Sequence, residues 1–174
     1  MLKVAGLALV SGAAFFSATP SWGGEATGSA SVTIVSPLAI TSATPLDFGA
    51  LRGGAADGAV VVSPAGAARA SGGARLLPGI APRGAHFTVS GAPGRDYRIN
   101  LPRQIVIAAV GPDNRLLLAS DFSVLSETTR GMSLVGRLDA SGSDAFSVGV
   151  RLTVPAHTPP GVYRIDLPVS VDYF

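Results

Sequence analysis

The sequence predicts an all-β protein, an antiparallel β-sandwich preceded by a signal-peptide segment. Apolar and polar residues alternate with a period of two in segment after segment, which sets one row of side chains against a core and the other in water. Turn-forming residues, among 22 Gly and 13 Pro in 174 residues, punctuate those segments at short intervals. Behind the first residues, no stretch carries the 3.6-residue repeat of an amphipathic helix.

At the amino terminus, Lys3 gives a positive start and Val4 to Phe16 form an uncharged apolar run. The run falls short of the roughly 20 residues that cross a bilayer. It reads as the core of a cleavable export signal, residues 1–23, with small residues Ser21 and Gly23 placed for the peptidase. No later stretch approaches a span, so the mature chain is expected to be exported to the periplasm, the cell surface or the medium, with no membrane span.

The mature chain, residues 24–174, has the usual length of one domain. It contains no cysteine, so packing and sheet hydrogen bonds must replace a disulfide framework, and thiolate metal sites are excluded. Its positive charge is all arginine, scattered singly from Arg52 to Arg164 with no basic stripe, which argues against nucleic acid as a partner.

The first alternating segment is EATGSASVTIV. Ala26, Gly28, Ala30, Val32 and Ile34 fall on one face, and Thr27, Ser29, Ser31 and Thr33 on the other. Residues 24–35 are therefore either the first strand of the domain's own sandwich or a donor strand that leaves it and adds to an incomplete neighbour. From Arg52 to Gly84 the pattern is poorest, with Gly and Ala dominant and only Val60–Val62 and Leu76–Leu77 strand-like. That region reads as a flexible loop or as flat strands of small residues.

Further on come short strands around Phe87 and Val89, around Tyr97, Ile99 and Leu101, over Ile105–Val110, over Leu116–Leu118, around Phe122 and Val124, and over Met132, Leu134 and Leu138. GAPGRD (Gly91–Asp96), GPDN (Gly111–Asn114) and DASGSD (Asp139–Asp144) separate them as turns. The last third alternates best. Phe146, Val148, Val150, Leu152 and Val154 form one row, PAHTPPG a turn, and Tyr163, Ile165, Leu167, Val169, Val171 and Tyr173 another, which predicts a long two-stranded unit. Pro168 interrupts the second strand and suits an edge or bulge. Short strands at this spacing give an immunoglobulin-like arrangement.

Signal segment, VTIVSPLAI, PLDFGAL, FTVSGAPGRDYRINLP and LDASGSDAFSVGVRLTVPAHTPPGVYRIDLPVSVDY, in that order, resemble a group of small exported bacterial proteins known as a domain of unknown function. That group is similar to spore-coat-protein-U and archaic chaperone-usher pilin subunits, sharing the Leu-x-Phe-Gly element (Leu46, Asp47, Phe48, Gly49) and a terminal alternating strand with penultimate Tyr173. The resemblance implies an immunoglobulin-like subunit that lacks its last strand, is held by a periplasmic chaperone, and polymerises through an outer-membrane usher by donor-strand exchange. It makes Ala26, Gly28, Ala30, Val32 and Ile34 donor-strand positions and Val169, Val171 and Tyr173 the exposed groove edge that a chaperone would bind. The chain departs from many such relatives in having no cysteine pair.

A search for chemistry yields little. His86 and His157 lack partners at zinc-ligand spacing, and no GxSxG elbow, P-loop or dinucleotide glycine pattern is present. Asp139, Ser141, Ser143 and Asp144 have oxygens that suit Ca²⁺, but a hairpin turn explains them better. Phe48, Phe87, Tyr97, Phe122 and Phe146 fall on apolar strand faces, as core residues do. The expectation is a non-enzymatic structural subunit of a cell-surface fimbria-like assembly, without cofactor or metal, polymerising by β-strand addition with itself or pilin-like subunits. The alternative is a self-contained periplasmic or secreted binding or adhesion module.

Overall fold

The computed structural model describes residues 36–108 and 116–174. The export segment, the strand candidate 24–35 with Ala26, Gly28, Ala30, Val32 and Ile34, and the turn at Gly111–Asn114 lie outside the described residues.

Thirteen antiparallel strands and no helix make up the described chain: β1 (Ala39–Thr44), β2 (Leu46–Arg52), β3 (Gly58–Val62), β4 (Ala68–Gly72), β5 (Arg75–Leu76), β6 (Ala85–Ser90), β7 (Asp96–Asn100), β8 (Gln104–Ala108), β9 (Leu116–Ser126), β10 (Val135–Arg137), β11 (Ser143–Val154), β12 (Gly161–Ile165) and β13 (Ser170–Tyr173). One seven-stranded sheet is organised on β11. Along one side, the first half of β11 pairs with β6 and its second half with β3, while its other side pairs with β9. β1 extends β6, β4 extends β3, and β8 extends β9. Two three-stranded sheets, β10-β7-β13 and β12-β2-β5, complete the sandwich.

Alternation along β11 buries Phe146, Val148, Leu152 and Val154, and they join Val60, Val62, Phe87 and Val89 from the same sheet in one core cluster. Leu46, Phe48, Leu51, Tyr97, Ile99, Tyr163 and Ile165 from the two small sheets belong to the same cluster. Phe87 and Phe146, paired across β6 and β11, stack with ring centroids 5.2 Å apart. Burying side chains of this size contributes about 1.5–3 kcal/mol each, and that burial holds the cysteine-free chain together.

Gly49 of the Leu-x-Phe-Gly element has φ +71°, and a side chain there would run into the Ile80 carbonyl and the Pro82 ring. Glycine is required by both conformation and space.

Of the two readings of the Gly- and Ala-rich stretch 52–84, the strands of small residues form: β3 to β5, with Val60 and Val62 of β3 and Ala74 just before β5 buried. Elsewhere the structure corrects the sequence reading. Leu116–Leu118 and Phe122–Val124 belong to one eleven-residue strand, β9. Its register against β11 shifts between Gly149 and Arg151, next to Asp121 at φ 51°, so an irregularity replaces the expected break. Met132 and Leu134 are not in a strand and are exposed, 69% and 50%. There the chain turns at Arg130, φ 51°, and the ladder begins only at Val135.

The expected two-stranded unit of the last third does not form. β11 and the segment after it lie in different sheets, because the connection Pro155–Pro160 crosses between the layers instead of folding back as a hairpin. Thr158 is buried in that crossing, donating its hydroxyl to Pro155 O (2.7 Å) while its amide also reaches Pro155 O (3.3 Å). Three prolines among its six residues lack the amide a ladder needs. The final strand is itself split around Pro168: β12 pairs with β2, and β13 pairs with β7.

Candidate functional site

β13 is the rim of its sheet. Its one ladder runs to β7, with Ser170 opposite Asn100, Val171 opposite Ile99, Asp172 opposite Arg98 and Tyr173 opposite Tyr97, and no described strand pairs with its other side. Val169, Val171 and Tyr173, the predicted groove-edge residues, are brought together here as one half-buried row packed against the core. Ser170 and Asp172 face solvent. In a strand, backbone groups that point away from the single neighbour are left for another chain or water.

Side chains fix this strand from both ends. The Tyr173 hydroxyl accepts from the Ala92 amide (2.6 Å) and donates to the Ser36 carbonyl (3.1 Å), so the segment just before β1 is tied to the end of β13. A side chain at Gly91 would collide with that hydroxyl, which explains the small residue in the GAPGRD turn. Arg95 lies 5.5 Å from the Tyr173 ring centroid and Arg98 lies 5.4 Å from that of Phe174. Such cation–π contacts are worth about 0.5–1 kcal/mol at exposed sites. Asn100 donates from its amide nitrogen to Asp172 Oδ2 (2.6 Å) and Ser170 Oγ (3.3 Å). At the start of the strand an open cavity of about 390 Å³ is lined by Asn100, Leu101, Pro102, Pro168, Val169 and Ser170.

Asp144, which the sequence offers only as part of a turn or as a Ca²⁺ ligand, braces the sheet behind this site. Its carboxylate is buried and accepts from the hydroxyls of Tyr97 (2.7 Å), Ser126 (2.8 Å) and Thr128 (2.6 Å) and from the amides of Thr128 (3.1 Å) and Ala145 (2.8 Å). Burial, and after it the hydrogen bond and charge of Asp144, push the Tyr97 hydroxyl far above the ordinary tyrosine range. Tyr97 lies opposite Tyr173, so this buried network also positions the edge.

Asp139 does something different. Its Oδ1 accepts from the Ser141 amide (2.8 Å) and hydroxyl (2.7 Å) and the Ser143 amide (2.9 Å), which forms the turn and lowers the carboxyl below its ordinary value, the Ser141 hydroxyl contributing most. With Asp139 at the surface and Asp144 turned inward, the four oxygens considered for Ca²⁺ do not converge. Among the described residues no three His, Cys, Asp or Glu side chains gather as metal ligands. His86 Nδ1 faces its cross-strand neighbour Ser147 Oγ at 3.1 Å, and His157 sits in the layer crossing at φ 59°.

The Leu-x-Phe-Gly element has a second use. Asp47 accepts from Arg164 Nε (2.7 Å) on the neighbouring strand β12 and from the Gly49 amide (2.7 Å), while its backbone is bridged in both directions to Arg83. The element thus ties β2, β12 and the chain before β6 together.

A family model described as "Domain of unknown function (DUF4402)" matches residues 38–173, from just before β1 to the end of β13. No curated protein and no solved structure matches the chain.

Proposed function

The chain belongs to the DUF4402 family, and from that premise we propose that it is a non-enzymatic structural subunit of a cell-surface fimbria-like assembly that polymerises by β-strand addition. One observation carries the reading. Among the described residues β13 presents an unpaired edge with Val169, Val171 and Tyr173 in a half-buried row, and Tyr173 holds the Ser36 carbonyl, in the segment before β1, beside it. Main-chain groups along that edge supply affinity to an added strand, and the alternate side chains of the strand supply specificity.

The donor in this reading is residues 24–35 of another copy, with Ala26, Gly28, Ala30, Val32 and Ile34 directed to the acceptor. Twelve extended residues reach about 40 Å, well beyond the length of β13. Export by the amino-terminal signal delivers the subunit to the periplasm or surface, and its likeness to spore-coat-protein-U and pilin subunits brings in a periplasmic chaperone and an outer-membrane usher as partners. The competing reading, a self-contained binding or adhesion module, is favoured by the complete burial of Phe48, Tyr97 and Phe146 without a donated strand.

The chain from residue 24, compared with one from residue 36, tests the proposal. Strand addition gives ladders on unheated gels that collapse on heating and that disappear in the shorter chain. A longer chain that stays monomeric at all concentrations refutes it and favours the self-contained module.

A further inference from the structure

β8 is a second unprotected rim. Gln104–Ala108 pairs regularly with β9 over all five residues, and no described residue pairs with its other side. Natural edge strands are usually blunted by a charge, a proline or a bulge, and QIVIA carries none of them. Ile105 and Ile107 pack against the core yet stay half-buried, with no described strand flanking them beyond the rim. On the outer face, Val106 is 55% exposed opposite half-buried Leu118, and Leu116 nearby is 60% exposed.

We infer that this rim is where a second copy of the chain docks, β8 against β8 in antiparallel pairing about a two-fold axis at Val106. The strand is self-complementary about that residue. Reversed on itself, Val106 meets Val106 of the partner subunit, Ile105 meets Ile107 of the partner subunit, and Gln104 meets Ala108 of the partner subunit. This is the reciprocal pattern that a two-fold interface requires. The pairing covers the open flanks of both inward isoleucines, buries no charge, and joins the outer strips of Val106, Leu118 and Leu116 into one apolar surface across both copies. With five residues a side, the contact lies below the roughly 1,000 Å² of a permanent interface, so the dimer depends on concentration. It uses a different edge from β13 and stands independently of the strand-addition reading.

The cysteine-free chain makes the test clean. In an antiparallel ladder, opposed side chains have Cβ atoms about 4.5–5.5 Å apart, close to the span of a disulfide. Val106→Cys in the full chain, oxidised and run boiled without reductant, gives a two-chain band and nothing larger. Val61→Cys, 38% exposed on β3 of the same sheet, serves as control and gives roughly tenfold less dimer. Val106→Lys, a change at an exposed side chain, keeps the far-ultraviolet spectrum of the parent and lowers the rise in apparent mass with concentration. Equal cross-linking at positions 106 and 61 overturns the inference, as does an unchanged mass profile in folded Val106→Lys. Occupation of the rim by residues 24–35, which contain no cysteine, gives no covalent dimer and overturns it equally.

Discussion

Replacing Asp144 by alanine removes the one acceptor shared by five donors. Each hydrogen bond to a charged group is worth about 1.5–3 kcal/mol, and a buried donor left without a partner costs about 1–3 kcal/mol. Tyr97 and Ser126 are fully buried and have nowhere to turn, whereas the Thr128 groups are only part-buried and can reach water. Counting the two stranded hydroxyls alone predicts a loss of about 2–6 kcal/mol, a large share of the 5–15 kcal/mol that holds most domains. Asp144→Asn loses less, about 2–3 kcal/mol, because one carbonyl oxygen survives while the new amide meets donors. Tyr97→Phe removes one donor and leaves the carboxylate four others, so its cost is about 1–2 kcal/mol. The assay is urea unfolding of the chain from residue 36, monitored by tyrosine fluorescence, with the slope checked to be unchanged. Combining Tyr97→Phe with Asp144→Asn then gives less than the sum, with a coupling of about 1 kcal/mol. An Asp144→Ala protein within about 0.5 kcal/mol of the parent, or strict additivity in the double variant, refutes the view that this carboxylate braces the sheet.

Three further outcomes are expected. Tyr97 keeps its proton above the ordinary value of 10.0 in the folded state, so its contribution is fully present below pH 10 and is lost as pH rises; Tyr97→Phe therefore flattens the fall in stability above pH 10 by up to about 1.4 kcal/mol per pH unit in urea titrations. Tyr173→Phe removes both the Ala92 and Ser36 hydrogen bonds, costing about 1–2 kcal/mol locally, and hydrogen exchange should speed up at the Ala92 amide while β11 amides remain protected. Gly49→Ala forces an alanine to φ +71° against the Ile80 carbonyl, and should lower stability by about 1–3 kcal/mol in the same unfolding assay; a neutral result would show that β2 can shift at no cost.

Alternation made the inward and outward faces of β6, β7, β11 and β13 readable from sequence, because side-chain period depends on the strand alone. Partner choice depends on how connections travel, and that is where the reading failed. Pro155, Pro159 and Pro160 look like a hairpin turn, yet they carry the chain across to the other layer, so β11 and β12 never pair. The stretch from Arg52 to Gly84 was hard to read because Ala74 and its glycine neighbours pack by backbone approach, which leaves no apolar signature. The half-buried row Val169, Val171 and Tyr173 was legible as an alternation. Its clamps were not, since Arg95 and Arg98 reach the terminal aromatics only through the β7–β13 register. Asp144 sat inside a convincing turn motif, and only the strand start at Ser143 turns it inward while Asp139 stays outside.

The bond from Tyr173 to Ser36 has a mechanical consequence. Pulled by the segment before β1 and anchored along β13, the domain carries the load between two neighbouring points on its surface. That single hydrogen bond is far weaker than the covalent chain running on into β1 and its ladder to β6, so it yields first, and tension between the two points then falls on the two different sheets that carry β1 and β13.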